Sequence, residues 1–143
     1  RTLVHRALWA PVHQVAHHAR AAVVAGGASD AHARFVATVE AHPATPVGRL
    51  RDLLAFDRRT FDRVRRDLDQ WLCVLTRERD DVEYHTHEPA LFPWSDGVIA
   101  MSAAGSPAGD RTAALATLRR STDAAANVPT TRLFPAGKWC EQG

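Results

Sequence analysis

Three arginines and a glutamine recur at helical spacing, and their side chains suit the recognition of nucleic acid. On a helical wheel of about 100° per residue, one side is apolar and holds Phe61, Val64, Leu68 and Leu72. The opposite side holds Arg59, Arg63, Arg66 and Gln70. An arginine guanidinium can pair with two acceptors at once, either guanine O6 and N7 or two phosphate oxygens. A helix over residues 58–72 is therefore predicted to place a basic face in the major groove of duplex DNA.

Positive charge is concentrated in one part of the chain. Residues 49–66 contain seven Arg and three Asp, a balance of +4, whereas the whole chain carries +2 with His neutral. The rest of the chain therefore carries −2, and such an asymmetry is typical of a DNA-contacting face. The further candidate DNA contacts from this segment are Arg49, Arg51 and Arg58. Of these, Arg49 and Arg51 are expected to contact the DNA backbone.

An ordinary solvated helix face is the alternative interpretation of the arginine row. Asp62 and Asp67 stand at helical spacing from Arg66 and Arg63, so they can form ion pairs on the helix surface. Arginines that are neutralised in this way would be poor candidates for DNA contacts.

Two pairs of histidines have a spacing that is used by metal sites. His13 and His17 stand one helical turn apart, and His85 and His87 share one side of a predicted strand. The hydrolytic zinc motif has Glu where Gln14 stands, so its general base is missing. The four histidines are weak candidates, and we expect neither a metal, nor a cofactor, nor a catalytic centre.

Caps, prolines and apolar spacing predict the elements that position the basic row. One helix is predicted over about 11–25, and the next starts at Ser29 or Asp30 and stops near Pro43. The apolar stripe of the second helix is Phe35, Val36 and Val39. Thr45 is expected to cap a helix that has Pro46 at its first position, and Asp57 to cap the arginine-bearing helix. The buried face of the helix after Pro46 is predicted to hold Val47, Leu50, Leu53 and Leu54.

Short strands are predicted after the arginine-bearing helix. The apolar run 72–75 begins the first, Asp80 and Asp81 form a turn, and the alternating segment 82–87 is the return strand. Trp71, Trp94 and Cys73 are assigned to the core. The expected organisation starts with an N-terminal helical extension, 1–30, and a central domain, 31–88. A linker that packs on that domain, 89–109, and a C-terminal helix with an irregular tail, 110–143, follow.

Residues 46–68, PVGRLRDLLAFDRRTFDRVRRDL, carry a resemblance to a known family. With three helices followed by two strands, the span 31–88 resembles the winged helix-turn-helix superfamily of DNA-binding domains. The resemblance implies a mainly α fold, namely three helices plus a short β-hairpin, here with flanking N- and C-terminal helices. It also implies that the third helix enters the major groove, and that two copies pair as a homodimer. The flanking helices 11–25 and 110–126 are the expected dimer contacts.

The composition limits the classes of protein to which the chain can belong. The chain has 143 residues, 45% apolar and 24% charged, which suits a single globular domain. No apolar run reaches about 18 residues and no signal peptide pattern appears, so we expect no membrane partner and a cytoplasmic location. A transcription regulator is the first hypothesis. A winged-helix fragment of a DNA repair enzyme, such as an alkyl-DNA glycosylase, stays open because the chain starts at Arg1. A protein–protein interaction module stays open because the predicted turn is acidic.

Overall fold

The chain is mainly α-helical and carries one small antiparallel sheet. A computed structural model describes residues 8–78, 89–94 and 111–126, with side chains as far as residue 121. The elements in chain order are α1 (Trp9–Ala22), α2 (Asp30–Ala41), β1 (Thr45–Pro46), α3 (Val47–Leu54), α4 (Arg58–Gln70), β2 (Val74–Glu78), β3 (Pro89–Pro93) and α5 (Arg111–Ala126). A π-helical turn, Val23–Gly27, extends α1 and ends where Gly26 adopts a φ of 88°. Within these ranges, no helix combines the length and apolarity needed to cross a membrane.

The sheet brings together segments that are distant in the sequence. Its strand order is β1-β3-β2 and both pairings are antiparallel. Thr45 pairs with Leu91, and Leu75 pairs with Phe92. The strand that returns beside β2 is therefore β3, which lies in the segment predicted to be a linker, beyond the domain boundary expected at residue 88. The predicted return strand 82–87 lies outside the described residues.

The composition of β3 explains why its sequence did not indicate a strand. Proline stands at both of its ends, and the neighbouring residues Ala90 and Leu91 are both fully buried. Burial of consecutive residues hides the alternation by which a half-exposed strand is recognised. Leu91 belongs to the hydrophobic core that the helices form.

The core lies between α2, α3, α4 and the sheet. Its most deeply buried side chains are Phe35, Val36, Val39, Leu50, Leu54, Phe61, Val64, Leu68, Val74 and Leu91. The predicted stripe of α2 is confirmed, that of α4 is confirmed for Phe61, Val64 and Leu68 but not for the partly buried Leu72 beyond the helix, and Cys73 is buried as expected. Trp71 packs on the core while partly exposed. Leu53 is 50% exposed, so its assignment to the buried face of α3 was wrong. α3 is only eight residues long, and Leu50 and Leu54, one turn apart, form its buried stripe.

Both ends of α4 are fixed by local hydrogen bonds. At its start the Asp57 carboxylate accepts a hydrogen bond from the Thr60 N–H at 3.0 Å, which confirms the predicted cap. At its end Leu72 takes a left-handed φ of 59°, and the Cys73 N–H donates to the Leu68 carbonyl at 2.9 Å. This is a Schellman ending, built with leucine where glycine is usual. It stops α4 at Gln70 rather than at residue 72, and turns the chain into β2.

We expect the Asp57 cap to have a characteristic pH dependence. Hydrogen bonds from the Thr60 hydroxyl and then from the Thr60 N–H hold the pKa of the Asp57 carboxyl below its ordinary value of 3.8. The stabilisation is therefore complete above pH 3.8 and is lost as the pH falls through the lowered pKa. Asp57→Ala should lower the thermal midpoint at neutral pH, by an amount that shrinks in more acidic buffer.

Asp57→Asn is the matched control, because asparagine also caps helices but does not titrate. We expect it to keep most of the midpoint at neutral pH. Thermal melts followed by circular dichroism between pH 2.5 and 7, a range chosen to bracket the ordinary carboxyl pKa of 3.8, make the comparison. An Asp57→Ala midpoint equal to that of the unmodified chain at neutral pH would show that the cap does not stabilise α4.

The outer helices α1 and α5 pack against each other. Their buried side chains include Val12, Ala16, Ala114 and Leu118. α1 is joined to α2 by an ion pair between Arg20 and Glu40, in which the guanidinium uses both Nε and Nη2. The apolar faces that were expected to hold a second copy are thus used within one chain.

Candidate nucleic-acid interface

The predicted basic row lies on the solvent side of α4. Arg59, Arg63, Arg66 and Gln70 are all exposed. On the opposite side, Phe61, Val64 and Leu68 are at most 2% exposed. We call these four exposed residues the basic strip. Because the core holds α4 by its other face, the strip can contact a partner without any change in the fold.

The acidic residues of α4 take partners outside the basic strip. Asp62 Oδ2 lies 3.8 Å from Arg58 Nε, and Asp67 Oδ2 lies 3.2 Å from His32 Nε2. Burial raises the pKa of Asp69, and the positive charge of Arg65 partly opposes that rise. The ion pairs Arg66–Asp62 and Arg63–Asp67 that the spacing allowed are therefore not formed.

The arginines of the strip keep an uncompensated charge. Within the part of the chain that the structure describes, no carboxylate comes within 4.0 Å of the guanidinium nitrogens of Arg59, Arg63 or Arg66. Among the described residues, nothing acidic therefore competes with an acceptor from another molecule for their donors. Arg58 is different, since its side chain is 87% exposed but lies beside Asp62. At that exposure an ion pair contributes little stability, so Arg58 also remains available.

A buried histidine ties α4 to α2. His32 is 8% exposed, its Nδ1 lies 2.7 Å from Ser29 Oγ, and its Nε2 faces Asp67. The His32 ring also packs on the Trp71 ring with centroids 5.0 Å apart. Ser29 stands at the N-cap position predicted for α2, but its hydroxyl is turned to His32 rather than to the helix backbone. This cluster fixes the C-terminal half of α4 and keeps Asp67 away from the strip.

The turn between α3 and α4 is held by an arginine that the sequence did not single out. Arg34 Nη2 donates to the Leu54 carbonyl at 3.1 Å, and its guanidinium lies 5.1 Å from the centre of the Phe56 ring. Ala55 adopts a left-handed φ of 52° at this point. Arg34 thus caps the C-terminus of α3, where a cation is favourable, and fixes the angle at which α4 begins.

The remaining predicted contacts are spread over neighbouring elements. Arg49 and Arg51 are exposed on α3, the helix before the turn, and are not part of the strip. Arg77 on β2 is a further exposed cation, whose guanidinium lies 5.4 Å from the centre of the Phe92 ring. Nothing in its local sequence set it apart, because its environment depends on the pairing of β2 with β3.

The histidine candidates do not gather into a metal centre in the described structure. His13 and His17 are on α1 as predicted, while His85 and His87 lie outside the described residues. Among residues 8–78, 89–94 and 111–121, no three His, Cys, Asp or Glu side chains are grouped to hold an ion. Burial, and then the charge of His17, lower the pKa of His13, whose Nδ1 is buried without a hydrogen-bond partner. The burial of His13 thus disfavours its charged form.

Comparison with known proteins adds no relative. No protein-family model matches the chain, and no curated protein or solved structure is significantly similar to it. A function therefore has to be argued from the geometry of the chain itself.

Proposed function

We propose that residues 30–93 form a winged helix-turn-helix that binds duplex DNA with α4 in the major groove. The observation that carries the proposal is the basic strip, which is exposed, opposite the core and free of carboxylate partners among the described residues. Three helices with short connections, followed by antiparallel strands, agree with the family that residues 46–68 resemble. The turn between α3 and α4 spans three residues, 55–57.

The dimensions of α4 fit this use. A helix of 13 residues is about 20 Å long and, with side chains, about 10–12 Å wide. The major groove is about 12 Å wide and admits an α-helix. From Arg59 to Gln70 the strip runs about 16 Å along the helix. Its length lets several side chains reach the groove at once.

The charge distribution supports the same partner. The excess of +4 within residues 49–66 lies on α3, α4 and their turn, and includes the exposed Arg49 and Arg51. Lysines and arginines that neutralise phosphates release condensed counterions, and this release drives binding at low salt. In this proposal α4 enters the groove, and the arginines of α3 contact the adjacent backbone.

A transcription regulator is the role that we infer for such a domain. Helix-turn-helix proteins usually act as dimers that place two recognition helices about 34 Å apart on a two-fold site. We include a homodimer in the proposal on that ground. Val12 and Ala16 of α1 and Ala114 and Leu118 of α5 are buried within one chain, so these four side chains are not available to a second copy.

The proposal is tested by the salt dependence of DNA binding. The full chain is titrated into a fluorescein-labelled duplex of random sequence, and anisotropy is recorded at several salt concentrations. With four phosphates neutralised, affinity should fall about 100-fold between about 50 and 200 mM salt. Absence of binding at the lowest salt, or binding that salt leaves unchanged, would refute DNA binding. The first of these results would favour a protein–protein interaction module instead.

A further inference from the structure

We propose that the basic strip reads guanines, so that the preferred duplex carries two or three guanines followed by an adenine. This inference rests on the proposed DNA binding and adds the sequence class that α4 selects. Its residues are Arg59, Arg63, Arg66 and Gln70, in order from the N-terminus of α4.

The position of the strip on α4 favours base contacts over phosphate contacts. At about 100° per residue, the four side chains fall within roughly 60° of one another and opposite the core. When the core face of a helix is turned away from DNA, the middle of the opposite face points to the floor of the groove. Arg58, about 110° from the middle of the strip on the same wheel, is then turned to one wall, where the phosphates lie. The strip therefore meets base edges.

The chemistry of the side chains selects the base. Arginine offers only donors, so it requires a base edge made of acceptors. In the major groove guanine presents the acceptors O6 and N7, whereas adenine and cytosine each present an amino donor. Glutamine has both a donor and an acceptor, which matches N6 and N7 of adenine. Three arginines and a terminal glutamine thus correspond to guanines and one adenine.

The spacing along α4 fits neighbouring base pairs. Arg59 and Arg63 are about 6 Å apart along the helix axis, and Arg63 and Arg66 about 4.5 Å apart. Base pairs are stacked about 3.4 Å apart, so each arginine can reach the next base pair or the next but one. No described carboxylate competes for these guanidinium groups. All three are thus able to bond at the same time.

The first experiment identifies the preferred sequence and tests one arginine. A pool of duplexes with a randomised central segment is selected on the full chain, and the bound fraction is sequenced. We expect guanine enrichment at two or three neighbouring positions. Arg63→Lys keeps the positive charge but loses the bidentate hydrogen bonding to guanine O6 and N7. It should bind the selected duplex about 10-fold more weakly than the unmodified chain does.

The second experiment changes the DNA and leaves the protein intact. Replacing each selected guanine by 7-deazaguanine removes the N7 acceptor, and should weaken binding by about 10-fold. Inosine is the matched control because it keeps O6 and N7 and lacks only the minor-groove amino group. We expect inosine to leave the affinity unchanged.

The outcomes separate this inference from the proposed function. If duplexes bind with the expected salt dependence but show neither guanine enrichment nor an effect of 7-deazaguanine, DNA binding stands and the guanine assignment is overturned. A loss caused by inosine and not by 7-deazaguanine would place the contacts in the minor groove and would also overturn it. If no duplex binds at any salt concentration, the proposed function fails and this inference fails with it.

Discussion

Replacing Arg59 and Arg63 together by alanine is expected to weaken duplex binding by at least about 30-fold, since each lost base contact costs about 1–3 kcal/mol. Both side chains are exposed, and neither has a carboxylate partner among the described residues. The proposal therefore assigns both side chains to DNA contact, and we expect the fold not to depend on them. Alanine is also the best helix former, so α4 should persist. Fluorescence anisotropy at low salt measures the affinity, and a thermal melt of the same sample is expected to give an unchanged midpoint.

A second double variant separates position from charge. Arg119 and Arg120 are exposed on α5, and changing both to alanine removes the same two charges from a helix outside the proposed interface. We expect this control to keep most of the affinity. Equal losses in the two double variants would show that binding follows net charge alone. An unchanged affinity in the α4 variant would show that α4 is not the recognition helix.

The helices could be predicted from the sequence because their signals are local. The Asp57 side chain accepts a hydrogen bond from the Thr60 N–H, only three residues away. The buried stripe of Phe61, Val64 and Leu68 repeats within one helix. Such patterns require no knowledge of the rest of the fold. The predicted C-terminus of α4 was nevertheless two residues too late. The helix ends at Gln70 because Leu72, the last residue of the apolar periodicity, adopts a left-handed conformation.

The features that were missed all depend on residues far apart in the chain. β1 has two residues, and it exists because Thr45 meets Leu91 across 46 positions. His32 and Asp67 are 35 positions apart, and Arg34 is 20 positions from the carbonyl that it caps. No periodicity or motif marks such partners, because the fold alone brings them together.

The candidate site was predictable in its residues and not in its electrostatics. The helical wheel gave the members of the basic strip, since exposure follows from the angle around α4. It could not give the partners of the aspartates. Asp67 is one turn from Arg63, yet it faces His32 on another helix. That contact and the pairing of Asp62 with Arg58 leave the strip without a carboxylate partner among the described residues.

Phe61→Ala is expected to remove about 3–5 kcal/mol from the free energy of unfolding, the usual cost of deleting a buried aromatic ring. Phe61 is 2% exposed, and its ring lies 5.2 Å from that of the fully buried Phe35. The pair joins α4 to α2. A domain of this size is typically stable by only about 5–15 kcal/mol, so the variant should be close to unfolding. Urea titrations followed by circular dichroism measure the loss.

Two further variants show whether that loss comes from the aromatic contact. A double-mutant cycle of Phe61→Ala with Phe35→Ala should give a coupling of about 0.5–1.5 kcal/mol, as aromatic pairs do beyond their buried area. Phe61→Leu keeps an apolar side chain in the site and should lose much less stability than Phe61→Ala. Because this variant stays folded and leaves the basic strip intact, we expect its DNA affinity to equal that of the unmodified chain. A Phe61→Ala loss below about 1 kcal/mol, as is usual for exposed positions, would mean that Phe61 does not anchor α4 in the core. The basic strip would then lack the fixed position on which its proposed role depends.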